Sequence, residues 1–468
     1  MTTDPSLMPA TELLRLYRAK KLSPVEATRA ALDRIEQSDH ALNSYTLVTE
    51  EDALRAARES EARWAKGAPK GLVDGVPTSI KDLAMMKGLP FRRGSRLTPE
   101  GEICQEDAPA VARLREHNAV FLGKTTTPEF GWKGVTDSAL CGITRNPWDT
   151  TKTPGGSSGG ASASVAVGMG ALALGTDGGG SIRMPAGFTG IFGLYPTAGR
   201  IPYYPTSVMG TMSQMGPMTR TVTDGALMFS VMAAPDARDW IALEPATQAY
   251  HEGLEDGVKG MRLAWSPTLG YAKNDPGIAE TVEKAVRVLE AEGAIVEKVD
   301  HVFDDPREPY ERLYNVGLAR IYRTLTQEKR AMIDPGLAQM AENGLHVDVF
   351  SYAEAHVART RYGEIVNALF QRYDLLLTPQ LPLTAFEAGA EFPAGRGMRR
   401  WLDWNPFGYP FNFTNSPAAT VPCGFVKGLP VALQIVGPRH REHRILKAAR
   451  AYERRHPFAL PKPPAAKT

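Results

Sequence analysis

From Pro154 to Gly193 the chain is crowded with glycine and other small residues, and within it lies GTDGGGSIRMPAG, Gly175 to Gly187. An ordered glycine in regular structure costs roughly 0.5–1 kcal/mol relative to alanine, so a fold that keeps so many must bring bare backbone close to something. Two serines stand in the stretch behind glycine pairs, Ser157 in PGGSSGG and Ser181 in GGGSIR. Around them, short apolar runs such as AVFLGKTTTPEF and GALALGTDGG stop at Gly, Thr or Pro. Such runs read as buried strands followed by loops, the habit of an α/β sheet.

Helical punctuation precedes that sheet. In LSPVEATRAALDRIEQ, Ser23 suits an N-cap, Pro24 the first helical position, and Glu26 completes a capping box. Val25, Thr28, Leu32 and Ile35 follow at helical spacing. A second helix is expected over 51–66, so residues 1–70 read as an N-terminal helical layer. PAVARLREHNA supplies a helix between two strands. Later, MRLAWS reads as a strand, IAETVEKAVRVLEAEGAIVEKV as helix, Gly293, strand, and RYDLLLTPQ as another strand. LPVALQIVG is a further strand with a helix after it through HRILKAARAYERRH. Residues 71–460 are expected to pack as one unit with its core at 72–225, and the Pro-rich 461–468 to fray.

Composition excludes several classes. With 43% apolar residues among 468, a sizeable core is available. The 54 basic and 52 acidic residues give a net charge of +2, no footprint for nucleic acid or a membrane surface. Cys104, Cys141 and Cys423 are sparse and far apart, which suits reduced thiols in the cytoplasm. No CxxC or HExxH pattern points to zinc. The N-terminus lacks a signal-peptide pattern, and ASASVAVGMGALALG is too short to span a bilayer. The expectation is a soluble, cytoplasmic protein.

A serine hydroxyl needs a base before it is a nucleophile, yet no histidine occurs between Asn118 and Gly199. Lys81, at the end of the apolar run in DGVPTSIKDL, is placed for burial among Val76, Ile80 and Leu83. Bringing a lysine near neutrality takes roughly 4 kcal/mol of desolvation. The peptide nitrogens of Gly178, Gly179, Gly180 and Ser181 could then converge on a tetrahedral oxyanion, where each donor is worth about 3–4 kcal/mol. On local evidence Ser157 and Ser158 are equal candidates for a second hydroxyl.

These residues lie in ordered motifs: GVPTSIKDL, GKTTTPEFGW, TRNPWDTTKTPGGSSGGASASVA, GTDGGGSIRMPAGFTGIFGLYPT, GPMTRTVTDGALM and PFNFTNSPAATVPCGFVKGLPVALQIVG. Over about 23–454 the chain resembles the amidase signature family of serine hydrolases. The resemblance implies one large α/β domain, with a mixed, mostly parallel sheet of about eleven strands covered by helices on both faces. It implies Ser181 as the acylated nucleophile, Ser157 after a cis peptide bond as proton shuttle, and Lys81 as base. The oxyanion hole maps to Gly178–Ser181, with Ser158, Asp177 and Arg183 in support. Gly178 departs from the family's usual β-branched residue, which implies a wider substrate wall. No metal and no cofactor are implied.

Other readings compete. Gly155 to Gly159 is formally G-x-S-x-G, but NPWDTTKTP before it is turn material, not the strand a nucleophile elbow needs. LGKTTTPE lacks the earlier glycine of a phosphate-binding loop, so Lys124 reads as a solvated or structural lysine. Asp82, adjacent to Lys81 on a strand, points to the opposite face. Cys141 has no histidine near it in sequence and reads as a small buried residue.

The substrate pocket is expected from YYPTSVMGTMSQM, from Tyr322 and its neighbours, and from RRWLDWNPFGYPFNF, with Tyr203, Met209, Met215, Tyr322 and Trp404 as lining. Their apolar character fits an aryl or alkyl amide, anilide or carbamate. The alternative is the amidase-like component of a glutamine-dependent tRNA amidotransferase, the only setting in which nucleic acid would be a partner. GLHVDVFSYAEAHVARTRYGEIV lacks the Tyr- and Gly-rich stretch associated with that subfamily. A non-catalytic homologue is a third reading, and a homodimer the expected assembly.

Overall fold

The computed structural model describes residues 4–99 and 101–464. Its strands are β1 Tyr45–Val48, β2 Pro77–Lys81, β3 Val120–Thr125, β4 Asp137–Ser138, β5 Gly142–Ile143, β6 Leu172–Asp177, β7 Phe192–Tyr195, β8 Gln214–Thr219, β9 Arg262–Trp265, β10 Ile295–Lys298, β11 Leu375–Pro379, β12 Ala418–Val426 and β13 Leu429–Val436. β4 and β5 pair separately. The other eleven make one sheet in the order β1-β3-β2-β6-β8-β7-β12-β13-β11-β9-β10.

The sheet is mixed, but parallel pairing is less dominant than expected. It is confined to the blocks β3-β2-β6 and β11-β9-β10, four of the ten neighbouring pairs. The middle is antiparallel. One reason is local. Lys427 and Gly428, the two residues between β12 and β13, have φ of 51° and 78°. Positive φ at both positions of a two-residue loop is the hairpin turn that matches strand twist, and a hairpin can only be antiparallel.

Helices cover both faces, and β6 shows how. Leu172 and Leu174 pack in a core with residues of the helix Val222–Met232, while Ala173 packs with Ala161 and Val165 of the helix Gly159–Ala166. Alternation along a strand sends successive side chains to opposite faces. The second face is built of small side chains, so the glycine-rich helix sits close against the sheet. An added Cβ at Gly160 would stand 2.5 Å from the Ser44 carbonyl oxygen.

At the N-terminus, Ser23 caps the helix Pro24–Leu42. Its Oγ accepts from the Glu26 N–H at 3.2 Å and its own N–H donates to the Glu26 carboxylate at 2.7 Å. The second expected helix spans Glu50–Ala65. Between them the four residues of β1 form the sheet's edge, antiparallel to β3, so this region is not helical throughout. At the other end Pro461 is buried and the Ser38 hydroxyl donates to the Pro464 carbonyl at 3.3 Å, so the first part of the segment expected to fray is packed. Residues 465–468 of that segment lie outside the described residues. No described helix is long and apolar enough to cross a membrane.

Candidate active site

β2 and β6 are parallel neighbours, and their C-terminal ends bring the candidate groups together. Lys81 is the last residue of β2 and is fully buried. Its Nζ lies 2.7 Å from the Ser157 Oγ, 2.8 Å from the Ser158 Oγ and 2.9 Å from the Thr176 Oγ1. Burial pushes the amine well below the ordinary lysine range, against the opposing pull of the Asp177 carboxylate. A neutral amine with three hydroxyls around it can take up a proton from one of them.

The two serines left equal by the sequence are separated by geometry. The Ser158 hydroxyl donates to the Thr176 carbonyl at 3.1 Å and accepts from the Thr176 N–H at 3.2 Å, which braces β6 against the loop. Ser157, after a cis bond from Gly156, opens with Ser181 onto one cavity of about 130 Å³. The Ser158 N–H donates to the Ser181 carbonyl at 3.2 Å and ties the two loops together.

The loop Gly178–Ser181 is fixed from behind. Tyr310 Oη donates to the Gly178 carbonyl at 2.9 Å and the Asn405 amide to the Gly179 carbonyl at 2.6 Å. Across a planar trans peptide, N–H and C=O point opposite ways, so the Gly179 N–H faces away from Tyr310. The Gly180 N–H, expected among the oxyanion donors, instead donates to Asp177 Oδ1 at 2.6 Å. That corrects its role: Gly180 hooks the loop to a buried carboxylate, and Gly178, Gly179 and Ser181 line the cavity. At Gly180 φ is 119°, which requires glycine.

Asp177 and Arg183 are both fully buried and paired, Nε to Oδ2 at 2.9 Å and Nη2 to Oδ1 at 3.1 Å. Asp177 also accepts from the Asn412 amide at 2.8 Å and the Ile182 N–H at 3.2 Å. Arg183 donates to Gln434 at 2.8 Å, to the Gly408 carbonyl at 3.1 Å and to Asn412. Burial works to raise the Asp177 pKa, but the Arg183 charge and these hydrogen bonds outweigh it and hold the carboxyl below its ordinary range.

The sequence profile of the family described as Amidase matches residues 26–446. The chain belongs to the amidase signature family. An acylamidase of Rhodococcus erythropolis is 36% identical to it over 464 residues, covering 97% of this chain and 96% of the relative. One of the subunits of the glutamyl-tRNA(Gln) amidotransferase of Myxococcus xanthus is 35% identical over 483 residues, covering 96% and 99%. Among solved structures, a bacterial aryl acylamidase of the amidase signature enzymes superposes with a TM-score of 0.89 at 30% identity, covering 96% of each chain. The protein is accordingly an amidase, a hydrolase of carbon–nitrogen bonds.

Around the serines, the cavity wall of this amidase agrees only partly with expectation. Tyr203 and Met209 line it. Met215 does not: it lies in β8 opposite Thr176 and packs into the core on the other face of the sheet. Tyr322 is replaced by Tyr314, Leu318 and Ile321, which share one face of the helix Arg307–Tyr322 at i, i+4 and i+7. One residue further turns the side chain by about 100°, and the Tyr322 hydroxyl instead meets Glu342 at 2.8 Å. Trp404 is sunk behind the wall, stacked on Phe188 with its Nε1 donating to the Glu391 carbonyl at 2.9 Å, and Trp401 takes the lining place.

Sequence reasoning also missed Thr176, Asn412 and Gln434. Their signal was a polar residue inside an otherwise apolar or glycine-rich stretch, which a buried position tolerates only with partners. Lys124 is not solvated. It is buried, ion-paired to Asp82 at 3.1 Å, and donates to the Ala84 carbonyl at 2.6 Å. Cys141 is half-buried, its Sγ 3.7 Å from Thr46 Oγ1.

Proposed function

We propose that this amidase works through an acyl-enzyme on Ser181. Lys81 draws the Ser157 proton as Ser157 takes the proton of Ser181, and Ser181 Oγ attacks the amide carbonyl. The peptide N–H groups of Gly178, Gly179 and Ser181 are the candidate donors to the oxyanion. The proton returns through Ser157 to the departing amine, and water, activated by the same relay, releases the acid. The observation that carries this reading is the fully buried Lys81 amine 2.7 Å from the Ser157 hydroxyl, its proton affinity lowered by desolvation. Ser158 then serves as a brace, and Asp177 and Arg183 shape the loop.

The substrates proposed are apolar or aryl amides, anilides or carbamates. The support is the ring-lined cavity, with Phe91, Phe130 and Trp401 on its walls, and the similarity to acylamidases. Similarity to the tRNA amidotransferase component favours a second reading, in which the chain needs partner proteins. We assign the protein to the cytoplasm on its three free thiols, and expect a homodimer.

Purified alone, the chain should hydrolyse an acyl nitroanilide, and a fluorophosphonate probe should label it. Ser181→Ala should lose both, with kcat down at least 10⁴-fold. Turnover that survives Ser181→Ala refutes the mechanism. Turnover that appears only with added amidotransferase partners replaces the free-standing reading with the second one.

A further inference from the structure

One cation stands in this otherwise uncharged cavity. Among the described residues that line it, Arg93 alone carries a charge. It comes from GLPFRRGSRL, a segment that the catalytic reading does not use. Its backbone is left-handed, φ 55°, a conformation that a non-glycine residue keeps only when its surroundings impose it.

What imposes it is visible. The Arg93 carbonyl accepts from the Phe130 N–H at 2.8 Å. The guanidinium lies 5.2 Å from the Phe91 ring centroid and 5.0 Å from that of Phe130. Aromatic faces hold a cation by their quadrupole and leave its N–H donors unused. Two carboxylates act on Arg93 through space, Glu102 and Asp82. Asp82 is ion-paired to Lys124. Among the described residues no side chain forms an ion pair with Arg93, and its Nε is buried with no hydrogen-bond partner. A buried donor without an acceptor is unfavourable, and a guanidinium presents a planar fork that fits a carboxylate.

We propose that Arg93 is a specificity-determining residue, and that the preferred substrates are amides with an apolar or aryl body and a carboxylate that this guanidinium receives. The inference rests on the serine-amidase reading above and narrows its substrate class. The rings of Phe91 and Phe130 flank the cation and give the apolar body its contact.

The experiment compares matched amides that differ in one charge. Glutaryl p-nitroanilide against valeryl p-nitroanilide puts the carboxylate on the acyl side. Hexanoyl 4-aminobenzoate against hexanoyl anilide puts it on the leaving amine. The wild type should favour the acidic member of at least one pair by tenfold or more in kcat/KM. Arg93→Gln should lower that ratio at least tenfold, mainly through KM, and Arg93→Lys should restore part of it. A wild-type ratio near one in both pairs overturns the proposal, as does an unchanged ratio in Arg93→Gln. Should Arg93→Gln fail to fold, the wild type decides: benzoate should inhibit competitively at least tenfold more tightly than benzamide, less so in high salt, and equal inhibition overturns the proposal. The amidase reading fails separately, when no member of either pair is hydrolysed and Ser181 takes no fluorophosphonate.

Discussion

Replacing Asp177 by asparagine changes almost no volume and removes one charge from the interior. In the native protein that charge meets the Arg183 guanidinium at 2.9 and 3.1 Å, with both side chains fully buried. Asparagine would leave Arg183 as an uncompensated cation, retaining its bonds to Gln434, Gly408 and Asn412. Breaking a buried pair from one side costs about 3–5 kcal/mol. The urea m-value grows with size and for 468 residues exceeds the roughly 3 kcal/mol/M of small proteins, so the midpoint falls by less than about 1–1.7 M. Asparagine keeps one acceptor oxygen where the carboxylate had two, for the Gly180 N–H at 2.6 Å and the Ile182 N–H at 3.2 Å, so one of these donors is left facing an NH2 group, the loop before Ser181 loosens and kcat falls with stability. The sign in pH follows from the direction of the shift. A carboxyl held below its ordinary range contributes stability above its unfolded pKa, and that stability is lost as pH falls through the folded value. Asp177→Asn should therefore lack this part of the wild type's acid sensitivity. Urea titration followed by circular dichroism, beside steady-state kinetics, reads both effects. A midpoint within about 0.2 M of wild type together with kcat within about twofold, on the order of the smallest differences such assays resolve, would refute the argument that this pair shapes the loop.

Other consequences are as direct. The buried Lys81 amine has its pKa pushed well below 10.5, so kcat/KM should fall on the acid side as it takes up a proton, and the residual activity of Lys81→Met should lack that limb. The unfolded chain holds that proton over the window between the folded pKa and 10.5, so stability should rise with pH across it, and Lys81→Met should flatten the rise. Gly178→Val should fold, because a Cβ there would meet Met209 and Ser213 at ordinary distances of 3.4 and 3.5 Å, and it should lower kcat/KM for bulky amides more than for small ones. Gly179→Ala should instead destabilise by about 1–3 kcal/mol, because its Cβ would press on Tyr310 and stand 3.0 Å from the Trp401 ring, and a thermal melt compares the two.

The parts of this molecule that were legible in the sequence are those whose signal is local. Ser23, Pro24 and Glu26 announce a helix start within four residues, and β3, β6, β9, β11 and β13 are apolar runs with clear stops. Ser181 stood out by the glycines before it and Lys81 by the apolar run it ends, whereas Ser157 was set apart from Ser158 only by the family resemblance. The wall was harder. Ile321 and Tyr322 differ only in phase on a helical turn, and sequence does not say which phase faces the cavity; Trp401 and Trp404 stand one turn apart in a 3-10 helix, and sequence does not say which of them reaches it. Asn412 and Gln434 reach Arg183 across more than two hundred residues of chain. The helix Val349–Arg372 carries no readable stripe because, of its 24 residues, only Ala355 and Val366 are buried. The hairpin at Lys427 and Gly428 was missed because lysine at positive φ leaves no trace in composition.

The Ser157 and Ser181 hydroxyls and the Lys81 amine hang from the ends of β2 and β6 and from the two loops between Gly155 and Ile182, whereas Tyr203, Leu318 and Trp401 come from three later stretches of chain. The cavity is thus a vice with one fixed jaw and one exchangeable jaw. Tyr310 and Asn405, on two of those later stretches, also hold the Gly178 and Gly179 carbonyls, so the exchangeable jaw can be reshaped without disturbing the loop before Ser181 only where these two braces are kept.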